Sequence, residues 1–178
     1  NRVMGYRVFN NKLWNAFKFL KIYTKDNFKY AEINKELLTF YDKWILNKLS
    51  KLIKVYEKDF DNYNFGDATN QVYSFCYDNV CDVYIEALKC ILSDNSPYDE
   101  ETKNNTKNVF LHIIESGLII LNPLMPFVTE ELFQRLPARK NKVESICIAD
   151  FPVDEGYEND EIEKLGEELS LITHGVLS

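Results

Sequence analysis

A chain of 178 residues, 46% hydrophobic and 14% aromatic with only 6 glycines and 5 prolines, has the make-up of one ordered globular domain with a packed core. Its net charge of −7 argues against general affinity for nucleic acid. No apolar run approaches the ~20 residues of a membrane span, and the opening NRVMGYRVFNNK lacks the apolar core of a secretory leader. The charge is uneven along the chain. Residues 1–58 hold 13 Lys/Arg against 5 Asp/Glu, a net of +8, and residues 59–178 hold 8 against 23, a net of −15. Such a split makes the N-terminal third an electrostatic footprint for a polyanion. The alternative is that the two parts attract each other.

Periodicity predicts a first helix from about Asn1 to Tyr23. The apolar stripe is Tyr6, Phe9, Leu13, Ala16, Phe17 and Leu20, and the opposite face carries Arg7, Asn11, Asn15 and Lys18. Trp14 and Phe19 flank that polar face. Amides, cations and aromatics together are what unstacked RNA bases need: hydrogen-bonding edges, phosphate partners and stacking planes. The helix starts at or before Asn1 and the chain does not begin with Met, as expected for a piece of a longer protein. A polar, charged link follows over Thr24–Lys35.

The second helix is expected from Asp42, as N-cap, to about Tyr63. Its core stripe runs through Ile45, Leu49, Leu52, Ile53, Tyr56 and Phe60, and its other face carries Trp44, Asn47, Lys51, Lys54 and Lys58. Trp44 is thus a large aromatic placed among lysines, away from the predicted core. A third helix spans roughly Phe65 to Leu92, with Asn64 as a possible cap. Pro97 marks a loop, and a fourth helix runs from about Glu101 to Leu121. The fifth begins near Pro126, a suitable first-turn residue, and stops before Pro137. Asn141–Pro152 reads as extended, with SICIA a strand-like piece. An amphipathic helix over about Asp160–Leu177 closes the chain. The expected fold is all-α, an antiparallel bundle of about five helices over residues 1–140. Residues 141–178 form an extended appendage and a C-terminal helix.

No G-x-G-x-x-G, P-loop or nucleophile–base arrangement occurs. The histidines, His112 and His174, lie in separate helical segments. Glu130 and Glu131 are neighbours in sequence, so on a helix they diverge by about 100°. The cysteines are Cys76, Cys81, Cys90 and Cys147, with no C-x-x-C spacing. Five apart on a helix, Cys76 and Cys81 do not share a face, and buried, reduced thiols are the simplest reading. The chain by itself offers no catalytic, metal or cofactor residues.

Three stretches carry a resemblance. NKLWNAFKF (Asn11–Phe19), CDVYIEALK (Cys81–Lys89) and LNPLMPFVTEELFQRLP (Leu121–Pro137) resemble consecutive signatures of the valyl-tRNA synthetase family, in its anticodon-binding helical domain. DKWILNKL (Asp42–Leu49) resembles that family as well. Isoleucyl and leucyl relatives share the tryptophan-bearing first helix and the P-F-x-T-E-E turn. The CDVYIE run and the FQRLP ending lean to the valyl enzyme of the eukaryotic cytosolic kind. Phe17 departs from the pattern, since small residues are commoner there.

The resemblance implies a domain that holds the anticodon arm of tRNA-Val. It implies a parent protein that joins valine to tRNA using ATP, with magnesium, in a catalytic domain preceding this stretch. Its other partners would be the catalytic and connecting domains of the same chain, with no membrane, in the cytoplasm. The expected tRNA-contacting residues are Arg7, Asn11, Trp14, Asn15, Lys18, Trp44 and Lys51. An isoleucyl counterpart and a helical protein-interaction module using the acidic two-thirds are the alternatives.

Overall fold

The computed structural model describes residues 2–25, 28–61 and 65–177, with side chains over 5–25, 28–59 and 66–169. Seven α-helices are described: α1 (Arg2–Tyr23), α2 (Phe40–Asp61), α3 (Phe65–Ser74), α4 (Ile85–Ile91), α5 (Glu100–Leu121), α6 (Pro126–Gln134) and α7 (Asp160–Leu177). A π-helical stretch, Phe75–Tyr84, joins α3 to α4 without a break. The Asn1 start, the Tyr63 end of the second helix and the Asn64 cap lie outside the described residues, as do the side chains of Phe60 and His174. No strand occurs among the described residues. The SICIA piece contains a 3₁₀ turn at Ile146–Ile148 instead, capped by Ser145, whose side chain accepts from the Cys147 N–H.

Run directions alternate along the bundle. Asp42 at the start of α2 meets Tyr84 at the end of the π stretch, so those two helices are antiparallel. Lys103 near the start of α5 donates to the Ser93 carbonyl, while Gly117 near its end faces Phe75 and Cys76. The α5 helix therefore runs back along the third segment. Between them lies the core: Leu20, Ile45, Ile53, Tyr84, Leu88, Phe110, Ile120 and Phe133 are all at most 1% exposed. The α1 stripe is buried at Phe9, Ala16, Phe17 and Leu20, but its first member, Tyr6, is 47% exposed.

The start of α2 differs from expectation. The helix begins two residues before Asp42, and Thr39 is the cap. The Asp42 N–H donates to Thr39 Oγ1, and the Thr39 N–H donates to Asp42 Oδ2, at 3.2 and 3.1 Å. This is a reciprocal capping box with an aspartate in the third position. Asp42 is 0% exposed and also accepts from the hydroxyls of Tyr84 and Thr106, at 2.7 and 2.8 Å. One carboxylate thus ties α2 to the third segment and to α5. The caps of α5 and α6 follow their sequence signals. Asp99 accepts from the Thr102 N–H at 2.8 Å, and Pro126 occupies the first turn of α6.

The π winding also changes one reading. The Ile85 N–H bonds to the Val80 carbonyl, five residues back, so five residues make about one turn there. Cys76 and Cys81 consequently lie near one another rather than on different faces. Burial pushes the Cys76 thiol up to about 12, with Cys81 adding to the rise, and the Cys81 thiol up to about 11. Both stay protonated and unreactive at neutral pH. Cys90 and Cys147 are exposed, contrary to the expectation of buried thiols throughout.

Candidate nucleic-acid interface

Arg7, Asn11, Asn15 and Lys18 are all exposed on α1. Spaced four, four and three apart, they form one stripe about 16 Å long at the helical rise. Trp14 is half-buried beside the stripe. Its ring meets Phe17 edge-on, with centroids 6.4 Å apart, and the Arg135 guanidinium lies 5.6 Å from its centre. Arg135, on the turn after α6, is itself paired with Glu131 at 2.9 Å. The stripe is thus bordered by an indole with a cation over its ring. Helical geometry alone predicted this much apart from Arg135.

The α2 face does not join it. Trp44 is 7% exposed and Asn47 0%, because α7 lies antiparallel across that face. Gly166 of α7 sits against the Trp44 indole so closely that a Cβ there would fall 2.4 Å from Nε1. Asn47 donates to Glu163 and accepts from the Asn159 N–H. Lys48 pairs with Glu163. Lys51 lies 3.5 Å from Asp160 and 3.6 Å from Glu163, and Lys54 pairs with Glu158. Burial pushes the Glu163 carboxyl up, but Lys48, Asn47 and Lys51 together hold it below the usual glutamate value. The outward face expected for Trp44 and Lys51 is therefore an intramolecular contact. On this helix the basic third and the acidic remainder do attract each other.

A second feature lies where the sequence suggested only a polar link. A half-open cleft of about 740 Å³ is bounded by residues 28–35, by α5, and by the segments around 138–142 and 155–157. It holds five cations, Lys29, Lys35, Arg139, Lys140 and Lys142, against Glu32 and Glu155. Phe28, Tyr30 and Tyr157 supply aromatic surface, and His112 lines the cleft from α5.

One polar stripe on α5 builds it. Asn105 and Asn108 pin the link: their Oδ1 atoms accept from the N–H of Asn34 and of Ala31 at 2.8 and 2.9 Å. Asn105 Nδ2 donates to the Asn34 carbonyl at 2.9 Å. Three residues beyond His112, Glu115 accepts from the N–H of Lys140 and Asn141 at 3.3 and 3.1 Å. Positions 105, 108, 112 and 115 share one helical face, so the same face anchors both walls. Burial lowers the His112 pKa, Lys140 acting in the same sense and Glu155 against it. Neutral His112 is thus the resting form at neutral pH. Burial raises the phenols of Tyr30 and Tyr157, as does Glu155, so both keep their protons.

Sequence reasoning missed this cleft. The signal was present in the alternation of Lys29 and Lys35 with Phe28 and Tyr30, and in the run Arg139-Lys140-Asn141-Lys142. An open face with amides and cations along a helix, and a basic cleft walled by aromatics, have the chemistry of single-stranded RNA recognition.

The chain belongs to the family described as the anticodon-binding domain of tRNA ligase, whose pattern matches residues 42–175. Valine–tRNA ligases are among the proteins it is similar to. That of Pseudothermotoga lettingae is 40% identical over 172 residues, 96% of this chain and 19% of that protein. A mitochondrial valine–tRNA ligase of Arabidopsis thaliana is 38% identical over 91% of this chain and 15% of its own length. The Rattus norvegicus enzyme is 37% identical over 85% of this chain and 12% of its own length. The chain therefore spans less than a fifth of each relative. Among the described residues, no helix is long and apolar enough to cross a membrane.

Proposed function

We propose that this chain holds the anticodon arm of tRNA-Val for a longer valine–tRNA ligase, whose ATP-dependent chemistry is carried by other domains. The observation that carries the reading is the pairing of an exposed Arg7/Asn11/Asn15/Lys18 stripe with a basic, aromatic cleft. In this account the stripe neutralises the stem backbone, and the cleft takes splayed loop bases. Trp14 borders the stripe as a stacking surface. Trp44 is left out of the footprint because α7 covers it, and Lys51 because its ammonium faces Asp160 and Glu163. Identities of 37–40% to bacterial, plant mitochondrial and rodent enzymes alike do not separate the kinds. The eukaryotic cytosolic assignment, and with it a cytoplasmic location, rests on the CDVYIE and FQRLP runs.

The test is the affinity of the chain for an anticodon-arm RNA across a salt series. With ~3–5 phosphates neutralised, the log–log slope is expected near −2 to −4. The acidic remainder lowers its magnitude by repulsion. A flat response would contradict the proposal, because binding that neutralises no phosphates releases no counterions from the RNA.

A further inference from the structure

Glu155 is out of place in a cleft that binds a polyanion. It repels phosphate, yet it projects among cations. Its carboxylate lies 3.5 Å from Lys140 Nζ, and it acts electrostatically on Tyr30, His112 and Tyr157. Lys35 Nζ lies 5.3 Å from the centre of the Tyr157 ring, which fixes a cation on that aromatic surface. The Glu115 hydrogen bonds to the backbone of residues 140 and 141 keep Lys140 where it meets Glu155. The cleft therefore offers an exposed acceptor, a donor 3.5 Å from it, and in Tyr30 a phenol ring for a base to stack on.

From this juxtaposition we infer that Glu155 is a specificity-determining residue, accepting hydrogen bonds from the exocyclic amino group of an unstacked base, with Lys140 donating to the adjacent ring nitrogen. The inference rests on the function proposed above. Cytosine presents an amino donor beside a ring-nitrogen acceptor, the complement of the Glu155–Lys140 pair. Uracil places a carbonyl oxygen where the amino group would be, and a carboxylate rejects it. Phosphates flanking the base meet Lys29, Arg139 and Lys142, so the single carboxylate lowers general affinity and contributes selectivity. The genetic code gives this selectivity a use. Valine codons begin G-U, so valine anticodons end in A-C. Isoleucine codons begin A-U, so theirs end in A-U, and the two sets part at cytosine against uracil.

The test measures binding of the 178-residue chain to two RNA stem-loops that differ only by cytosine or uracil at the last anticodon position. The wild-type chain is expected to prefer cytosine by about tenfold. Glu155→Gln is expected to lower that ratio markedly but not to one, since an amide both accepts from an amino group and donates to a carbonyl, while Lys140 still opposes the N3–H of uracil. Glu32→Gln removes the same charge from the same cleft and is expected to keep the ratio. Because each comparison is a ratio, the general gain in affinity from losing a negative charge cancels. Circular dichroism melts check that both variants fold. If the wild-type chain binds both RNAs equally, or Glu155→Gln keeps the full preference, this inference is wrong and the anticodon-arm reading survives. If neither RNA binds, both are wrong.

Discussion

Truncating Trp44 to alanine is expected to cost about 3–5 kcal/mol of folding stability and to leave RNA affinity per folded molecule unchanged. The indole is 7% exposed, packed beneath α7 at Gly166, and has Lys48 Nζ 5.7 Å from its ring centre. Removing it opens a cavity between two helices whose other contacts among the described residues include ion pairs and the Asn47 hydrogen bonds. The measurement is a denaturant titration alongside RNA binding normalised to folded protein. Gly166→Val should act through the same contact from the other side, since its Cβ would displace the indole. A stable Trp44→Ala protein with weakened RNA binding would return Trp44 to the recognition surface.

Asp42→Ala is expected to destabilise by about 3–5 kcal/mol. Three donors converge on that carboxylate: the Thr39 N–H and the hydroxyls of Tyr84 and Thr106. Alanine removes a helix cap worth about 1 kcal/mol and leaves two buried hydroxyls without their acceptor, at about 1–3 kcal/mol each. The pH dependence has a defined sign. Burial raises the Asp42 pKa above the ordinary value, and the hydrogen bonds oppose that rise only in part. The folded state therefore holds the proton more tightly than the unfolded chain. The contribution of Asp42 is fullest below the unfolded value and falls as pH rises through the folded one. The stability gap between wild type and Asp42→Ala should be wider at about pH 4 than at about pH 7, as read by urea titrations at the two pH values.

The helices were legible because their signals are local. Pro126 opens α6, Asp160 opens α7, and the heptad-like spacing of Phe9, Ala16, Phe17 and Leu20 marks the buried side of α1. The Arg7/Asn11/Asn15/Lys18 face was legible for the same reason. Trp44 and Lys51 show where such reasoning stops. Periodicity separates the two faces of a helix but does not reveal what lands on the outer one. Here the cover comes from a helix more than a hundred residues later. Its marks in the sequence are the acidic run Asp150–Glu168 and a glycine at 166, and neither names its partner. The cleft was hidden because its walls come from segments around 28–35, 112, 138–142 and 155–157, which only the fold brings together. The π winding was invisible because shifting hydrogen bonds by one residue leaves the apolar pattern of the third segment intact.

In the proposed binding mode the α1 stripe and the α5-anchored cleft both meet the RNA. The most direct test compares two double charge reversals in binding an anticodon-arm RNA at low salt. One takes a lysine from each of the two, Lys18→Glu with Lys142→Glu. The other changes the same charge elsewhere on the surface, Lys89→Glu with Lys164→Glu. The first is expected to lower affinity by about 30-fold or more and to reduce the magnitude of the salt slope by about 2. The second is expected to cost no more than the general repulsion from a net charge made more negative by four units, about threefold in screened solution. Equal losses from the two pairs, or no loss from the first, would contradict the account.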